Sequence, residues 1–512
     1  MSSFPTIARD LGQILRVVSL TMAASMLVAA FVGEWFALPA FAVSALLTAG
    51  VGSVLVYRHE DAPAPGKREA MITAALAWLS VAFLGALPFL GISWTIALQL
   101  FPAWMNTPAL TDTTAVFNHP LDGIFESISG FTSTGLTMAL VEDDLPRSLH
   151  WWRSFTEWVG GVGVIVLTVA ILARPGSGSL TLFRSEARSK KIHPSIVSTV
   201  TEIWRIYVGF TLAAIALFWL AGMPLWGAIN HAMTAISTGG FSIHADSIGH
   251  YGSALIEYTV IGVMIVGSIA FPVHYLLLQG HLKPLWRDVQ TRWVFLWFAI
   301  GAAALIAVLV WNGQYGTLEE NIRNGLFQFV SATSNTGFGT TTIGAGETAV
   351  WSIGAVLIVC LGMLTGAAAG STVGGLKLIR VITLVKGTVW QLKSVFVPKH
   401  AIRQLKIGNR TLSEPQAEHE YTEATVVVVL WMLGLIVGVG VLLAALPPGY
   451  PLQHVLFEVM SAQSNVGLDS GIVSPTMPDS TKIMLIVNMW VGRLEIIPVA
   501  VLIGVLLQKV ER

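Results

Sequence analysis

The chain has 512 residues, of which 54% are hydrophobic and 11% charged, and its 29 basic and 29 acidic side chains cancel to a formal net charge of zero. An ordinary soluble domain carries roughly 25% charged residues, so lipid is the solvent for most of this chain, and the neutral balance excludes recruitment of nucleic acid by bulk charge. The single cysteine, Cys360, excludes an intrachain disulfide and a thiolate metal site.

About 20 apolar residues cross a bilayer core. Windows of that kind fall near 17–33, 35–57, 71–96, 158–173, 206–225, 258–279, 293–311, 348–376, 424–446 and 483–508. Arg9, Asp10 and Arg16 precede the first, which runs almost directly into the second, so no cleavable signal pattern is present. These two spans occupy residues 1–68. Beyond them one short sequence is written four times without a gap: FESISGFTSTG at 125–135, INHAMTAISTG at 229–239, FQFVSATSNTG at 327–337 and FEVMSAQSNVG at 457–467. Each copy opens on a bulky apolar residue, closes on a small polar pair and a glycine, and lies between apolar spans, as a short helix entering a narrow polar turn does.

Four units follow, at 69–178, 179–280, 281–394 and 424–512, with 395–423 as a cytoplasmic linker between the last two. Lys and Arg collect in alternate connections: Arg174, Arg184, Arg188, Lys190, Lys191 and Arg205 in one, and Lys377, Arg380, Lys386, Lys393, Lys399, Arg403, Lys406 and Arg410 in another. These faces are expected to be cytoplasmic. The opposite side, with the four repeated loops, carries Glu142, Asp143, Asp144, Glu319, Glu320 and Glu347. The loops therefore open outward and both termini lie inside. The expected fold is an all-α polytopic membrane protein: four parallel span–pore-helix–span repeats around a central pore, plus two extra N-terminal transmembrane helices. Inverted repeats, as in many secondary transporters of organic solutes, do not fit this charge pattern.

A dehydrated cation needs oxygen ligands in place of water, and carbonyls supply them where the backbone turns them to an axis. Glycine permits that turn. The filter candidates are Gly135, Gly239, Gly337 and Gly467, with the carbonyls of Thr134, Thr238, Thr336 and Val466. In one copy alone such a sequence merely caps a helix; four copies in equivalent places favour a filter. The stretch GMLTGAAAGSTVGG at 362–375 is too glycine-rich for a stable straight helix. Its Gly362, Gly366, Gly370, Ser371, Thr372, Gly374 and Gly375 read either as a broken helix forming a movable gate beneath the filter or as close small-residue helix packing. Arg493 lies inside the last span, where it must face water or a partner. It reads as a positive charge below the fourth loop, with a structural ion pair as the alternative. Glu126, Glu458 and Asp469 have two readings, concentrating cations at the mouth or sitting solvated. The 12 histidines show no metal spacing, and His231 reads as a packed residue. Trp151, Trp152 and Trp158 read as interfacial anchors. No phosphate loop, dinucleotide fingerprint or nucleophile elbow is present, so the chain is expected to be no enzyme and to bind no cofactor.

These residues resemble the TrkH and KtrB superfamily of potassium transporters, and specifically its TrkH branch. The resemblance runs over essentially the whole length. It rests on the four loops ending STG, STG, NTG and NVG, on WRSFTEWVGGVGVIVL at 152–167, on GAAAGSTVGGLKLIRV at 366–381, on MWVGRLEIIP at 489–498, and on the two extra N-terminal spans. It implies potassium uptake across a bacterial cytoplasmic membrane, with the four loop glycines lining the filter, the interrupted helix of the third repeat as gate, and Arg493 below the filter. It also implies a homodimer and a cytoplasmic ring of TrkA-type subunits that bind NAD, ATP or ADP. Related plant members with serine at the first filter glycine favour sodium, so Gly135 argues for potassium; a sodium-permeable pore or an ion-coupled symporter of the same architecture is the alternative.

Overall fold

The computed structural model describes residues 4–172, 196–344, 351–396, 403–408 and 410–510. Long runs of Ala, Leu, Val, Ile and Phe dictate helix, and helix in turn leaves each run's side chains on all faces. Among the described residues, six helices are long and apolar enough to cross a membrane, among them Phe4–Phe31, Val289–Trp311 and Glu414–Ala445. Their outward faces carry Leu20, Leu27, Leu46, Leu220 and Ile436 in exposed positions. Water would penalise such a surface; lipid does not. The first two helices, Phe4–Phe31 and Leu38–Arg58, lie close enough that a methyl on Gly12 would stand 2.6 Å from the Gly52 carbonyl oxygen. Two glycines at this crossing allow the backbones to meet.

Two further spans are bent rather than straight. Ala254–Ser268 and Phe271–Leu278 meet at 106°, and Asp479–Arg493 meets a following helix at 113°. Pro272 explains the first break, since proline starts the second helix and cannot continue the one before it. At the second, Glu495 and Ile496 both adopt positive φ, at 50° and 64°. The carboxylate of Glu495 accepts from Arg380 Nη2 at 2.5 Å. The windows 258–279 and 483–508 are therefore each two helices, and Arg493 ends a helix instead of lying inside one. The window 158–173 falls in the helix Arg147–Leu172 and its last residue lies outside the described residues. The window 348–376 begins outside them, and among the described residues it holds the helix Ile353–Leu364.

Four short helices lie among the spans: Pro120–Phe131, Leu225–Ile236, Leu318–Thr333 and Leu452–Ser464. Most of their residues are buried, and they contribute to two large apolar clusters. One gathers Phe125, Trp152, Phe457 and Leu485; the other Ile236, Phe271, Phe327 and Val373. Trp152 is wholly buried and donates to the Gly85 carbonyl at 3.1 Å, so it is a core residue and not an interfacial anchor.

The linker is more ordered than its polar sequence implies. Leu405–Ile407 pairs antiparallel with Arg410–Leu412 about Gly408, and the apolar side of this hairpin joins Val289 and Trp390. The next helix starts at Glu414, ten residues before the apolar window, because Ser413 caps it reciprocally with Gln416 and Pro415 occupies its first turn. The basic residues 174, 184, 188, 190, 191 and 399, and Glu347, lie outside the described residues.

Candidate functional site

All four short helices end in the same way. One residue just past each C-terminus, the second in the first three copies and the first in the fourth, is left-handed: Ser133 at φ 49°, Thr238 at 52°, Asn335 at 52° and Asn465 at 57°. The amide of each bonds back three residues, and the amide of the next residue reaches back five: Thr134 to Ser129, Gly239 to Thr234, Thr336 to Ser331 and Val466 to Ser461, at 2.8–2.9 Å. This double bond pattern is a Schellman termination. A second left-handed residue follows two positions on: Gly135 at 89°, Gly240 at 87°, Gly337 at 83° and Gly467 at 93°.

The second copy is thereby shifted by one residue. Gly239 stands where Thr134, Thr336 and Val466 stand, and Gly240, which was not among the filter candidates, is the counterpart of the other glycines. Thr238 is the counterpart of Ser133. The ungapped alignment missed this because Thr-Gly-Gly offers two glycines and the bulky Ile229 matched the phenylalanines by size.

The four turns close on one another. A methyl on Gly135 would overlap the Gly239 carbonyl oxygen; one on Gly240 the Thr336 oxygen; one on Gly337 the Val466 oxygen; one on Gly467 the Thr134 oxygen. First meets second, second third, third fourth and fourth first. No side chain fits at any of these glycines, so the ring is lined by backbone. Each helix also directs its C-terminal end, equivalent to about half a negative charge, toward this ring.

One buried polar side chain on each helix fastens the strand that leaves the ring. In the shifted register these are Glu126, His231, Gln328 and Glu458, all fully buried. Glu126 accepts from Met138 N at 2.7 Å, His231 Nε2 lies 2.9 Å from Ser242 Oγ, Gln328 donates to the Thr341 carbonyl at 3.4 Å and Glu458 accepts from Ser470 N at 3.0 Å. Glu126 is also paired with Arg153 at 2.6 Å, and Arg153 donates to the Ser242 carbonyl of the second loop at 2.6 Å. Glu126 and Glu458 are therefore braces inside the protein, neither solvated nor at the mouth; Asp469 alone of the three is exposed. Glu157, which composition did not single out, is wholly buried with both oxygens on the amide of Phe241.

Directly under the ring lies the stretch after Leu364. Thr365 and Gly366 bridge in parallel to Leu376 and Lys377, and the residues between form an irregular, largely buried loop. Thr372 Oγ1 lies 3.1 Å from the carbonyl oxygens of Ile236 and Gly267 and 3.2 Å from Thr238 Oγ1. Gly374 abuts Asn465, where a methyl would stand 2.7 Å from its Cβ, and the Gly375 backbone lies by Asn335 and Ser464. Gly362 packs instead on Phe329 and Thr333 within its helix. Ser371 donates to the Ala368 carbonyl at 2.6 Å and Gly370 is left-handed at φ 83°.

Arg493 joins the loop to the ring. It donates to the Thr372 carbonyl at 2.9 Å, to Ser133 Oγ at 3.2 Å and to the Gly160 carbonyl at 3.0 Å. Its Nε finds no partner, and no carboxylate among the described residues lies within 4.0 Å. Lys377, a residue counted only as a cytoplasmic charge, is also buried, with its ammonium on the carbonyls of Val373 and Gly374.

Comparison with known proteins matches residues 41–510 to the model of the TrkH family, described as cation transport proteins. An uncharacterised cation transporter of Methanocaldococcus jannaschii is 34% identical over 86% of this chain and 83% of its own. The Trk system potassium uptake protein TrkH of Salmonella typhimurium is 30% identical, over 98% of both chains. The crystal structure of the potassium transporter TrkH from Vibrio parahaemolyticus superposes with a TM-score of 0.81 at 27% identity, covering 98% of each chain.

Proposed function

From the premise that this chain belongs to the TrkH family of cation transport proteins, we propose that it takes up potassium across a bacterial cytoplasmic membrane through a gated, channel-like pore. The observation that carries this reading is the closed ring of four backbone turns, with the carbonyls of Thr134, Gly239, Thr336 and Val466 at equivalent places. Carbonyl oxygens replace a potassium ion's hydration shell, and four inward-directed helix C-termini favour a cation there. The ion is cargo, and the chain does no covalent chemistry.

The loop with Gly366, Gly370, Ser371, Thr372, Gly374 and Gly375 acts as the gate. Arg493 holds it closed and repels cations below the ring. The four span–pore-helix–span units run parallel, the loops open outward and both termini lie inside, as the distribution of Lys and Arg supports. Two copies associate, and a separate cytoplasmic nucleotide-binding ring acts on the gate. The test is cation flux in liposomes holding the purified chain. Potassium flux well above sodium flux is expected, and Gly135→Ser is expected to lower that ratio, since a side chain there displaces the Gly239 carbonyl. Equal passage of both ions by the unaltered chain would contradict the reading.

A further inference from the structure

We infer that the outer rim carries a site for a zinc-class divalent cation formed by Asp143, His244 and His250. The three side chains each offer one donor atom, and these atoms lie within 4.8 Å of one another. They come from two different units. Asp143 sits in the turn Glu142–Asp144 after the first ring segment. His244 follows Gly240 by four residues, and His250 lies in the turn Ser247–Tyr251.

The chemistry of each donor suits a metal. The His244 Nδ1 and Asp143 Oδ1 atoms are 2.5 Å apart, and Asp143 Oδ2 accepts from Ala245 N at 3.1 Å. The rings of His244 and His250 are parallel within 3° at a centroid distance of 3.5 Å. Neutral imidazole is the form that binds metal. Two nitrogens and one carboxylate oxygen select zinc and its neighbours over calcium or magnesium, with water as fourth ligand. Tetrahedral coordination needs donors roughly 3–3.5 Å apart, so the His244–Asp143 contact must open from 2.5 Å, one of the two stacked rings must turn to aim its in-plane lone pair at the ion, and the widest donor pair, within 4.8 Å, must close.

A bound ion would tie the first unit's rim to the second's. The second turn already holds the third unit, because Ser247 Oγ accepts from Gly339 N at 3.2 Å and Gly249 N donates to the Gly339 carbonyl at 3.1 Å. His231, which braces the second ring segment, faces His244 at 6.3 Å. Zinc thus cross-links the surroundings of three of the four turns, and external zinc slows cation passage. This last consequence rests on the proposed transport; the site itself does not.

Calorimetric titration of the tag-free full chain in detergent with zinc chloride tests the site. Saturable binding is expected, weakened at least about tenfold by Asp143→Asn with His250→Ala, while the melting temperature without zinc stays unchanged. Should that pair destabilise the chain, His250→Gln alone serves. Zinc binding that survives both substitutions overturns the site, as does no binding to the unaltered chain. In liposomes, external zinc should slow flux through the unaltered chain and not through His250→Gln. Equal slowing of both overturns it as well. A chain that binds zinc but passes no potassium would count against the transport reading and leave the site standing.

Discussion

Thr238 is the most strained of the four turn residues, because a β-branched side chain disfavours φ near 52° and a left-handed L-residue costs roughly 1–2 kcal/mol. Its hydroxyl donates to the Ser237 carbonyl at 2.7 Å and faces Thr372 in the loop below. The two glycines that follow it differ in kind. Gly240 is left-handed and blocked by a backbone oxygen, whereas the nearest atoms to a methyl on Gly239 belong to the side chain of Glu157. Gly240→Ala is therefore expected to lower the potassium-to-sodium flux ratio as strongly as Gly135→Ala, and Gly239→Ala less so. Permeation ratios for the three variants decide the register, and an unaffected Gly240→Ala would restore the ungapped one. In the proposed pore Arg493 would act by charge. A unit charge about 4 Å from a permeating cation repels it by roughly 1 kcal/mol in water and about 4 kcal/mol at an effective dielectric near 20. Arg493→Gln should raise flux, since the gate loop loses a tether to Thr372 at the same time. A variant that passes less potassium, with its melting temperature much reduced, would make Arg493 a structural group only.

Among the elements, the ring and the loop beneath it are held very differently. The ring segments are braced by fully buried polar groups. Removing one partner of a buried ion pair such as Glu126–Arg153 costs about 3–5 kcal/mol, so these segments keep one geometry. The loop at 366–375 is tied chiefly through carbonyls: Thr372 to Arg493, Gly370 to the Phe271 amide at 3.0 Å, and Ala368 N to the Ser268 carbonyl at 3.3 Å. Bonds of this kind each contribute only about 0.5–1.5 kcal/mol net, those to a charged group somewhat more. Gly370 separates backbone strain from steric overlap, because a methyl there would meet nothing nearer than Ala270 Cβ at 3.9 Å while φ stays at 83°. Gly370→Ala should destabilise this loop conformation by roughly 1–2 kcal/mol, raise flux several-fold and leave the potassium-to-sodium ratio unchanged. A changed ratio at constant flux would remove the loop from gating.

For the whole molecule, the surface left to a cytoplasmic partner is narrower than the count of basic residues implies. Arg403 pairs with Glu414 and lies 4.5 Å over the Trp390 ring, and Arg410 pairs with Glu420 at 2.6 Å. Both charges are spent within the chain. Lys393, Val395 and Phe396 remain exposed beside them, and an apolar pair next to a lysine suits a protein partner. If the proposed nucleotide-binding subunit docks there, Lys393→Glu with Phe396→Asp should reduce its recovery with the chain from the native membrane, at unchanged expression. Undiminished recovery would move the docking surface elsewhere.

The sequence by itself determined that the chain is a membrane protein, where most spans fall and that one turn motif recurs four times; for residues 362–375 it left a broken helix and close helix packing both open, and the structure ends the helix at Leu364. The first three depend on local composition and periodicity. The register of the second turn was not legible, because adjacent glycines serve equally well in one dimension and only closure against Thr336 and Gly337 chooses Gly240. The breaks at Ile269 and Leu494 were hidden inside apolar runs; Arg380 reaching Glu495 across the fold is what stabilises the second. Buried Glu126, Glu157, Glu458 and Lys377 look like surface charges in sequence, since a charge is tolerated inside only where distant amides, carbonyls and guanidinium groups converge on it. Asp143 and His250 stand far apart along the chain, and only the packing of two units brings their donor atoms together.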